Sequence, residues 1–205
     1  MNGKKLLESL CYIKAPGPRP SFSILHILKA LEVIASEGFV GRVRLSRELK
    51  LGEGATRTLI DRLKEAGLIK CDKPGCTLTS KGREVWNFLS SKFAVKIDFG
   101  ESELTVGKWN VAILVRGSYG RVENGMKQRD AAIKAGAKGA TTLIFKNGRL
   151  LIPNISEDVS KDYPKAFKHI MDALKPMEGD VVVIGSADEK DAAEYGALAA
   201  AWTLL

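Results

Sequence analysis

Apolar residues in the first half of the chain recur every three or four positions, the spacing of amphipathic helices. One such series predicts a helix that ends at Gly38 and buries Ile24, Leu28, Leu31 and Ala35. A second series predicts a helix over residues 55–66, with a buried stripe of Leu59, Ile60 and Leu63. Between them, alternation over residues 42–45 indicates a small strand, and Ser46 is placed to cap a short helix over residues 47–51.

Extended and helical segments then follow in a recognisable order. Two short runs at residues 68–71 and 76–79 flank the turn Asp72-Lys-Pro-Gly75 and predict a β-hairpin. A helix over residues 80–92 is expected next. Helix, strand, helix, turn, helix, hairpin and helix is the order of a winged helix-turn-helix domain. We place this domain at residues 22–92, after an N-terminal arm of residues 1–21.

Two pieces of sequence stand on either side of the predicted hairpin. They are Leu51-Gly-Glu-Gly-Ala-Thr-Arg-Thr-Leu-Ile-Asp-Arg-Leu-Lys-Glu-Ala-Gly-Leu-Ile69 and Leu78-Thr-Ser-Lys-Gly-Arg-Glu84. In this order and at this separation they resemble the winged-helix repressors of bacteria and archaea. The resemblance implies a domain that binds duplex DNA and inserts the helix over residues 55–66 into the major groove.

The second half of the chain alternates buried strands with helices. Strands are predicted at residues 95–99, 109–115, 140–145, 150–152 and 180–184, and helices at residues 126–135, 163–174 and 188–202. Lys146-Asn-Gly-Arg149 indicates a tight hairpin, and its antiparallel pair argues against a purely parallel dinucleotide-binding fold.

We therefore expect an α+β protein of two domains. The winged helix is followed by a linker or first strand at residues 93–107 and by a small α/β domain with a mixed sheet at residues 108–205. This arrangement also resembles an uncharacterised archaeal family, in which a winged helix precedes a C-terminal α/β domain of unknown function.

Charge separates the two halves. The chain has 205 residues, of which 45% are hydrophobic and 27% charged, enough to bury a globular core. Its net charge of +8 lies in residues 1–92, which hold 17 Lys and Arg against 9 Asp and Glu, whereas residues 93–205 hold 15 of each. A basic module joined to a neutral one is typical of a protein that meets a polyanion.

Several classes of protein are disfavoured by composition. No apolar run approaches the length of a membrane span, and the start lacks a signal-peptide core, so we expect a cytoplasmic protein without membrane contact. Three cysteines and two histidines argue against a secreted disulfide scaffold and a four-ligand zinc site. We expect no metal and no cofactor.

The predicted helix over residues 55–66 supplies the candidate base contacts. Arg57 is the candidate to fork onto a guanine, Thr56 and Thr58 could contact phosphate or a thymine methyl, and Asp61 and Lys64 share the polar face. The alternative for Arg57 is a surface ion pair with Asp61. The alternative for each of the basic residues around this helix is ordinary solvation. Phosphate contacts are expected from Arg42, Arg44, Arg47, Lys70, Lys73, Lys81 and Arg83.

The loop at residues 116–125 is the candidate site for a small anion. Gly117, Gly120 and Gly125 let the backbone approach a ligand closely, and the helix that follows offers free N–H groups. Charge and donors are expected from Arg116, Ser118, Arg121, Lys127 and Arg129, with Thr141, Thr142 and Ser186 completing the site from other strand ends. The loop matches neither a P-loop nor Gly-x-Gly-x-x-Gly, and a solvated connection is the alternative.

Cys71 and Cys76 flank the tip of the predicted hairpin and are expected to face each other. A redox-sensing disulfide and two unlinked thiols are both consistent with this spacing.

The leading hypothesis is a transcriptional regulator that binds double-stranded DNA. Its C-terminal domain would sense a small anionic, phosphorylated effector or form a homodimer. We assign no catalytic residues, because no nucleophile–His–acid spacing appears. Two alternatives remain: an enzyme acting on a phosphorylated or nucleotide substrate with an accessory winged helix, and a winged helix that binds proteins.

Overall fold

A computed structural model of the chain describes residues 3–12, 20–73 and 75–205. Residues 1–2 and 13–19 of the predicted N-terminal arm, and Pro74 of the predicted turn, lie outside these ranges. The chain divides into two compact units, Met1–Ser90 and Ser91–Leu205. Among the residues described, no helix is long and apolar enough to cross a membrane.

The first unit is helical, with one hairpin near its end. Its elements are the helices α1 (Gly3–Ser9), α2 (Ile24–Glu37), α3 (Arg42–Leu49), α4 (Glu53–Glu65) and α5 (Ser80–Lys92), and the strands β1 (Ile69–Asp72) and β2 (Gly75–Leu78). Its core consists mainly of fully buried aliphatic side chains, among them Leu31, Ile34, Leu45, Leu59, Leu63, Leu68 and Leu89. Burial of each such side chain stabilises the unit by about 1.5–3 kcal/mol.

Residues 42–45 form the first turn of α3 and not the predicted strand. Leu45 and Leu49 lie four residues apart and are both fully buried, as on one face of a helix, whereas Val43 is 67% exposed. Four alternating residues fit a strand and a helix equally well. The burial of Leu49 together with Leu45 is what distinguishes the helix from the strand. Ser46 therefore lies inside α3, where its hydroxyl donates to the carbonyl of Leu51 at 2.6 Å.

The β1–β2 hairpin forms as predicted. Ile69 pairs with Leu78, and Cys71 lies directly opposite Cys76, to which a disulfide joins it. Val40 adds a short bridge on the other side of β2, through two backbone hydrogen bonds of 2.9 Å to Cys76.

The second unit is a five-stranded sheet with helices on both faces. The strands are β3 (Phe93–Asp98), β4 (Trp109–Val115), β5 (Gly139–Lys146), β6 (Arg149–Leu151) and β7 (Val181–Ala187), in the spatial order β3-β4-β7-β5-β6. Helices α6 (Met126–Lys134) and α9 (Lys190–Trp202) pack on one face, and α7 (Val159–Asp162) and α8 (Pro164–Leu174) on the other. The two-domain α+β organisation is thus confirmed.

Strand pairing corrects the expected mixed sheet. Strands β4 and β5 run in the same direction on either side of α6, but β7 inserts between them and pairs antiparallel with both. Every strand pair in the described part of the chain is therefore antiparallel. All seven residues of β7 are buried, as expected for a central strand covered on both faces. The hairpin between β5 and β6 turns at Asn147 and Gly148, both with positive φ, as predicted.

Candidate functional sites

Helix α4 is presented by a three-residue turn after α3. Lys50 adopts the left-handed conformation, Leu51 is buried, and Gly52 precedes the first helical residue. The predicted stripe of α4, formed by Leu59, Ile60 and Leu63, is buried in the first unit. The opposite face of the helix is consequently directed to solvent.

This outer face carries four of the predicted contact residues. Arg57, Thr58, Asp61 and Lys64 are all exposed. The hydroxyl of Thr58 donates to the carbonyl of Gly54 at 3.0 Å but stays at the surface. No ion pair of the described residues joins Arg57 to Asp61, so the guanidinium is available to an external acceptor.

Thr56 does not belong to this face. It has 0% exposure, and its hydroxyl donates to the carbonyl of Gly52 at 3.1 Å. The prediction that Thr56 contacts DNA is therefore corrected: it lies one residue before Arg57 and about 100° around the helix, on the inner side. Its side chain secures the start of α4 from within.

Basic residues of the hairpin and of α5 surround α4 in sequence. Lys70, Lys73 and Arg83 are exposed and make no ion pair with other described residues. Lys81 is also exposed, but its ammonium donates to the carbonyl of Ala66 at 2.7 Å and so satisfies the C-terminus of α4.

Helix α3 provides the remaining predicted cations. Arg42 and Arg47 are exposed, whereas Arg44 bonds to the carboxylates of Glu37 at 3.2 Å and Glu48 at 2.9 Å. Arg44 is the least available of the three, because a phosphate would have to compete with two carboxylates.

In the second unit, the turn after β4 is organised by a carboxylate of the protein itself. Asp180 is 3% exposed and accepts hydrogen bonds from the backbone N–H groups of Gly117, at 3.0 Å, and Met177, at 2.8 Å. Its carboxylate also pairs with the guanidinium of Arg116. Ser118 is buried and donates to the carbonyl of Arg116. The first part of the predicted anion loop is thus already occupied by an internal anion.

The second part of the loop is open. Gly120, Arg121, Lys127 and Arg129 are exposed, and Arg129 forms a surface pair with Asp130 at 3.3 Å. Gly125 precedes α6 in the left-handed conformation. The N–H of Met126 donates to Oδ1 of Asn124 at 3.0 Å, and the next two N–H groups of the first turn point out of the N-terminus of the helix.

Thr141, Thr142 and Ser186 are not brought together at this loop. Successive strand residues face opposite sides of a sheet, so Thr141 and Thr142 point in opposite directions. Thr142 is buried beside the start of α6, with its hydroxyl 3.6 Å from where a Cβ on Gly125 would lie. Ser186 pairs with Asn110, five steps or about 17 Å along the sheet from Val115 and the turn after it. Only Thr142 can belong to a site at the N-terminus of α6.

Comparisons with known proteins agree with the division into two units. The family model described as the CggR N-terminal DNA binding domain matches residues 22–92. Residues 22–92 are a winged helix-turn-helix DNA-binding domain. In domains of this type the second helix of the helix-turn-helix is called the recognition helix and the hairpin is called the wing, and these names are used below for α4 and the β1–β2 hairpin. A second model, a domain of unknown function (DUF4443), matches residues 106–204, so the winged helix precedes a C-terminal domain of unknown function.

One solved structure extends the likeness over most of the chain. It is a hypothetical protein from Pyrococcus horikoshii OT3, with 28% sequence identity, a TM-score of 0.68, and coverage of 90% of this chain and 93% of that chain. No curated protein matches the chain.

Two features of the C-terminal unit were not predicted from the sequence. Asp180 was missed because its partners lie 63 and 64 residues earlier in the sequence. A cleft of about 810 Å³ lies beside the β5–β6 hairpin of the C-terminal domain, lined in part by Lys146, Arg149 and Glu157. These residues follow no glycine-rich or metal-ligand spacing that could have indicated the cleft.

Proposed function

We propose that the protein is a transcriptional regulator that binds duplex DNA through its recognition helix and wing. The observation that carries the proposal is the exposed guanidinium of Arg57 on the outer face of α4, which forms no ion pair with any residue that the structure describes. A planar guanidinium presented by a helix in the major groove can donate two hydrogen bonds to a guanine. The C-terminal domain would control this binding through a small anionic effector or through homodimerisation.

The basic residues around α4 support a large electrostatic share in this binding. Arg42, Arg47, Lys70, Lys73 and Arg83 are exposed on the helix before α4, on the wing and on the helix after it. Lysine and arginine contacts to phosphate release condensed counterions, so the affinity falls as the salt concentration rises. Three or four such contacts give a slope of about −3 in log K against log salt concentration.

The salt dependence of binding by the full chain tests this part of the proposal. Lys73→Ala should weaken binding to all sequences alike and reduce the magnitude of the salt slope by about 1. Lys165→Ala is the matched control, because Lys165 is an exposed lysine of the C-terminal domain. Absence of DNA binding at low salt would contradict the proposal.

Base readout by Arg57 requires a separate measurement. After selection of a preferred duplex, Arg57→Ala should reduce the preference for that duplex over random DNA by about 1–3 kcal/mol. Arg57→Lys keeps the positive charge but lacks the two parallel N–H donors of the guanidinium. It should retain nonspecific binding and lose most of the preference for the selected duplex over random DNA. Equal preference in wild type and Arg57→Ala would show that another residue reads the bases.

The N-terminus of α6 supports the proposed effector site. Helix N-termini attract anions, and the exposed residues Arg121 and Lys127 lie on either side of Gly125 in the sequence. The hydroxyl of Thr142 is buried there without a hydrogen-bond partner in the described structure. Inorganic phosphate, or a phosphate group of a nucleotide or sugar, has the charge and acceptors that such a site requires.

Thermal unfolding tests the effector proposal. A ligand at a hundred times its Kd stabilises the domain by about 2.7 kcal/mol. A panel of inorganic phosphate, nucleotides and sugar phosphates should therefore contain a stabiliser whose effect is lost in Lys127→Ala and in Arg129→Ala, and kept in Lys165→Ala. A panel without a stabiliser would leave homodimerisation as the role of the domain. A two-fold dimer would present two recognition helices to two half-sites, and light scattering at tens of micromolar would detect it.

A further inference from the structure

We propose that the disulfide between Cys71 and Cys76 is a redox modification site that sets the DNA affinity of the wing. The proposal rests on the DNA-binding function proposed above and adds its regulation by a dithiol of the thioredoxin or dithiothreitol class.

The disulfide closes the tip of the wing into a small ring. Cys71 and Cys76 are opposite each other in the β1–β2 register, and in the sequence they are separated by the four residues Asp72-Lys-Pro-Gly75. Lys73 is the cation at the tip, exposed and placed to reach a phosphate. The bond therefore restricts the segment that carries the candidate phosphate contact.

The two sides of the ring are anchored differently. Cys76 is held by its two backbone hydrogen bonds to Val40, each of 2.9 Å. A Cβ added at Gly75 would lie 2.8 Å from the carbonyl of Val40, so β2 is also in close contact there. On the β1 side, Cys71 is joined to β2 by the strand ladder and by the disulfide. Strand β1 itself stays in place through its packing on α4 and the buried side chain of Ile69, so opening the bond releases the Cys71 side of the tip more than the Cys76 side.

Accessibility defines the course of the exchange. Cys71 is partly exposed, whereas Cys76 is 4% exposed. A thiolate of the dithiol attacks the sulfur of Cys71, the bond between the sulfurs breaks, and Cys76 leaves as a thiolate that takes up a proton. The second thiolate of the dithiol then attacks the other sulfur of the same dithiol, which is bonded to Cys71 in the mixed disulfide. This step releases Cys71 as a thiolate that takes up a proton. The wing disulfide is reduced by two electrons, and the dithiol is oxidised to a cyclic disulfide.

Reduction should lower DNA affinity through loss of preorganisation. A tip with more conformations in the free protein loses more entropy when Lys73 engages a phosphate. The cost of ordering one long side chain and its segment corresponds to an affinity about two- to tenfold weaker in the reduced protein.

The test compares oxidised and reduced full-length protein in a Cys11→Ser background. Cys11 is the one free cysteine of the oxidised chain, and burial raises the pKa of its thiol; its removal leaves only the wing sulfurs. Thiol titration should then count none before and two after treatment with dithiothreitol, and Kd for one duplex should rise two- to tenfold. Cys71→Ser/Cys76→Ser should bind like the reduced protein under both conditions. In Lys73→Ala the difference between the oxidised and reduced forms should largely disappear.

Four outcomes would overturn the proposal. They are equal affinity of the two forms, a bond that dithiothreitol does not open, a redox effect that persists in Cys71→Ser/Cys76→Ser, and an undiminished effect in Lys73→Ala. If neither form binds DNA at low salt, the DNA-binding function itself fails; if both bind equally, only the redox control fails.

Discussion

Replacing Asp180 with alanine is expected to destabilise the C-terminal unit by about 2–3 kcal/mol. The substitution removes the acceptor of two backbone N–H groups, from Gly117 and Met177, and the partner of Arg116. It thereby removes the hydrogen bonds and the ion pair that join the turn after β4 to the segment before β7.

The magnitude follows from the exposure of the three partners. Gly117 and Met177 are at the surface, so their N–H groups can bond to water after the substitution, and each loss costs about 0.5–1 kcal/mol. The side chain of Arg116 is 30% exposed, which limits the loss of the ion pair to about 1 kcal/mol after solvent screening. In a unit of this size, such a change lowers Tm by roughly 10 °C.

Thermal unfolding followed by calorimetry provides the assay, since it can separate the transitions of the two units. Asp180→Asn retains the shape and one acceptor and should lose about half as much stability. Arg116→Ala leaves both N–H bonds to Asp180 and should cost about 1 kcal/mol. If Asp180→Ala left Tm within about 2 °C of wild type, the carboxylate would not organise the turn. Arg116 would then be free to bind an external anion, as the sequence suggested.

Three further predictions concern the winged-helix domain. Gly82→Ala should destabilise it by about 3 kcal/mol in thermal unfolding, because the new Cβ would lie 1.9 Å from the carbonyl oxygen of Leu68. Gly54→Ala should instead stabilise α4 by up to about 1 kcal/mol, since its Cβ meets no atom within 4 Å; a loss of stability would contradict this. Burial lowers the pKa of His26 from its usual 6.5, so the unfolded chain binds the proton more readily. Stability from His26 is therefore fully present above pH 6.5 and lost as the pH falls below it, and this decline should be absent from the Tm profile of His26→Gln.

Local features of the fold followed from the sequence. The stripe of Leu59, Ile60 and Leu63 and the register of Cys71 with Cys76 depend on residues close together in the chain, and both are found as predicted. The segment at residues 42–45 was misassigned because four alternating residues fit two periods. Which strands would pair was not predictable, because the insertion of β7 between β4 and β5 depends on packing between distant segments.

The candidate sites show the same limit. The exposure of Arg57 followed from the helical period. The same period places Thr56 on the inner side of α4, so its predicted contact with DNA was wrong. Arg116 carried a charge that suited an anion, but its actual partner is Asp180, 64 residues away. Sequence spacing can indicate which residue types suit a ligand, whereas internal partners remove some of them from use.

On the ribosome, the central strand of the C-terminal sheet is made last. Strands β3, β4, β5 and β6 have all emerged before Val181–Ala187, although β4 and β5 both pair with that segment. Until it appears, each of them has an unpaired edge and an uncovered apolar face, which favours aggregation. The winged-helix domain comes first in the chain and forms a compact unit of its own, so it can fold while the rest is still being synthesised. A chain that stops before residue 181 would therefore carry a folded DNA-binding domain attached to two open half-sheets, the form most exposed to proteolysis.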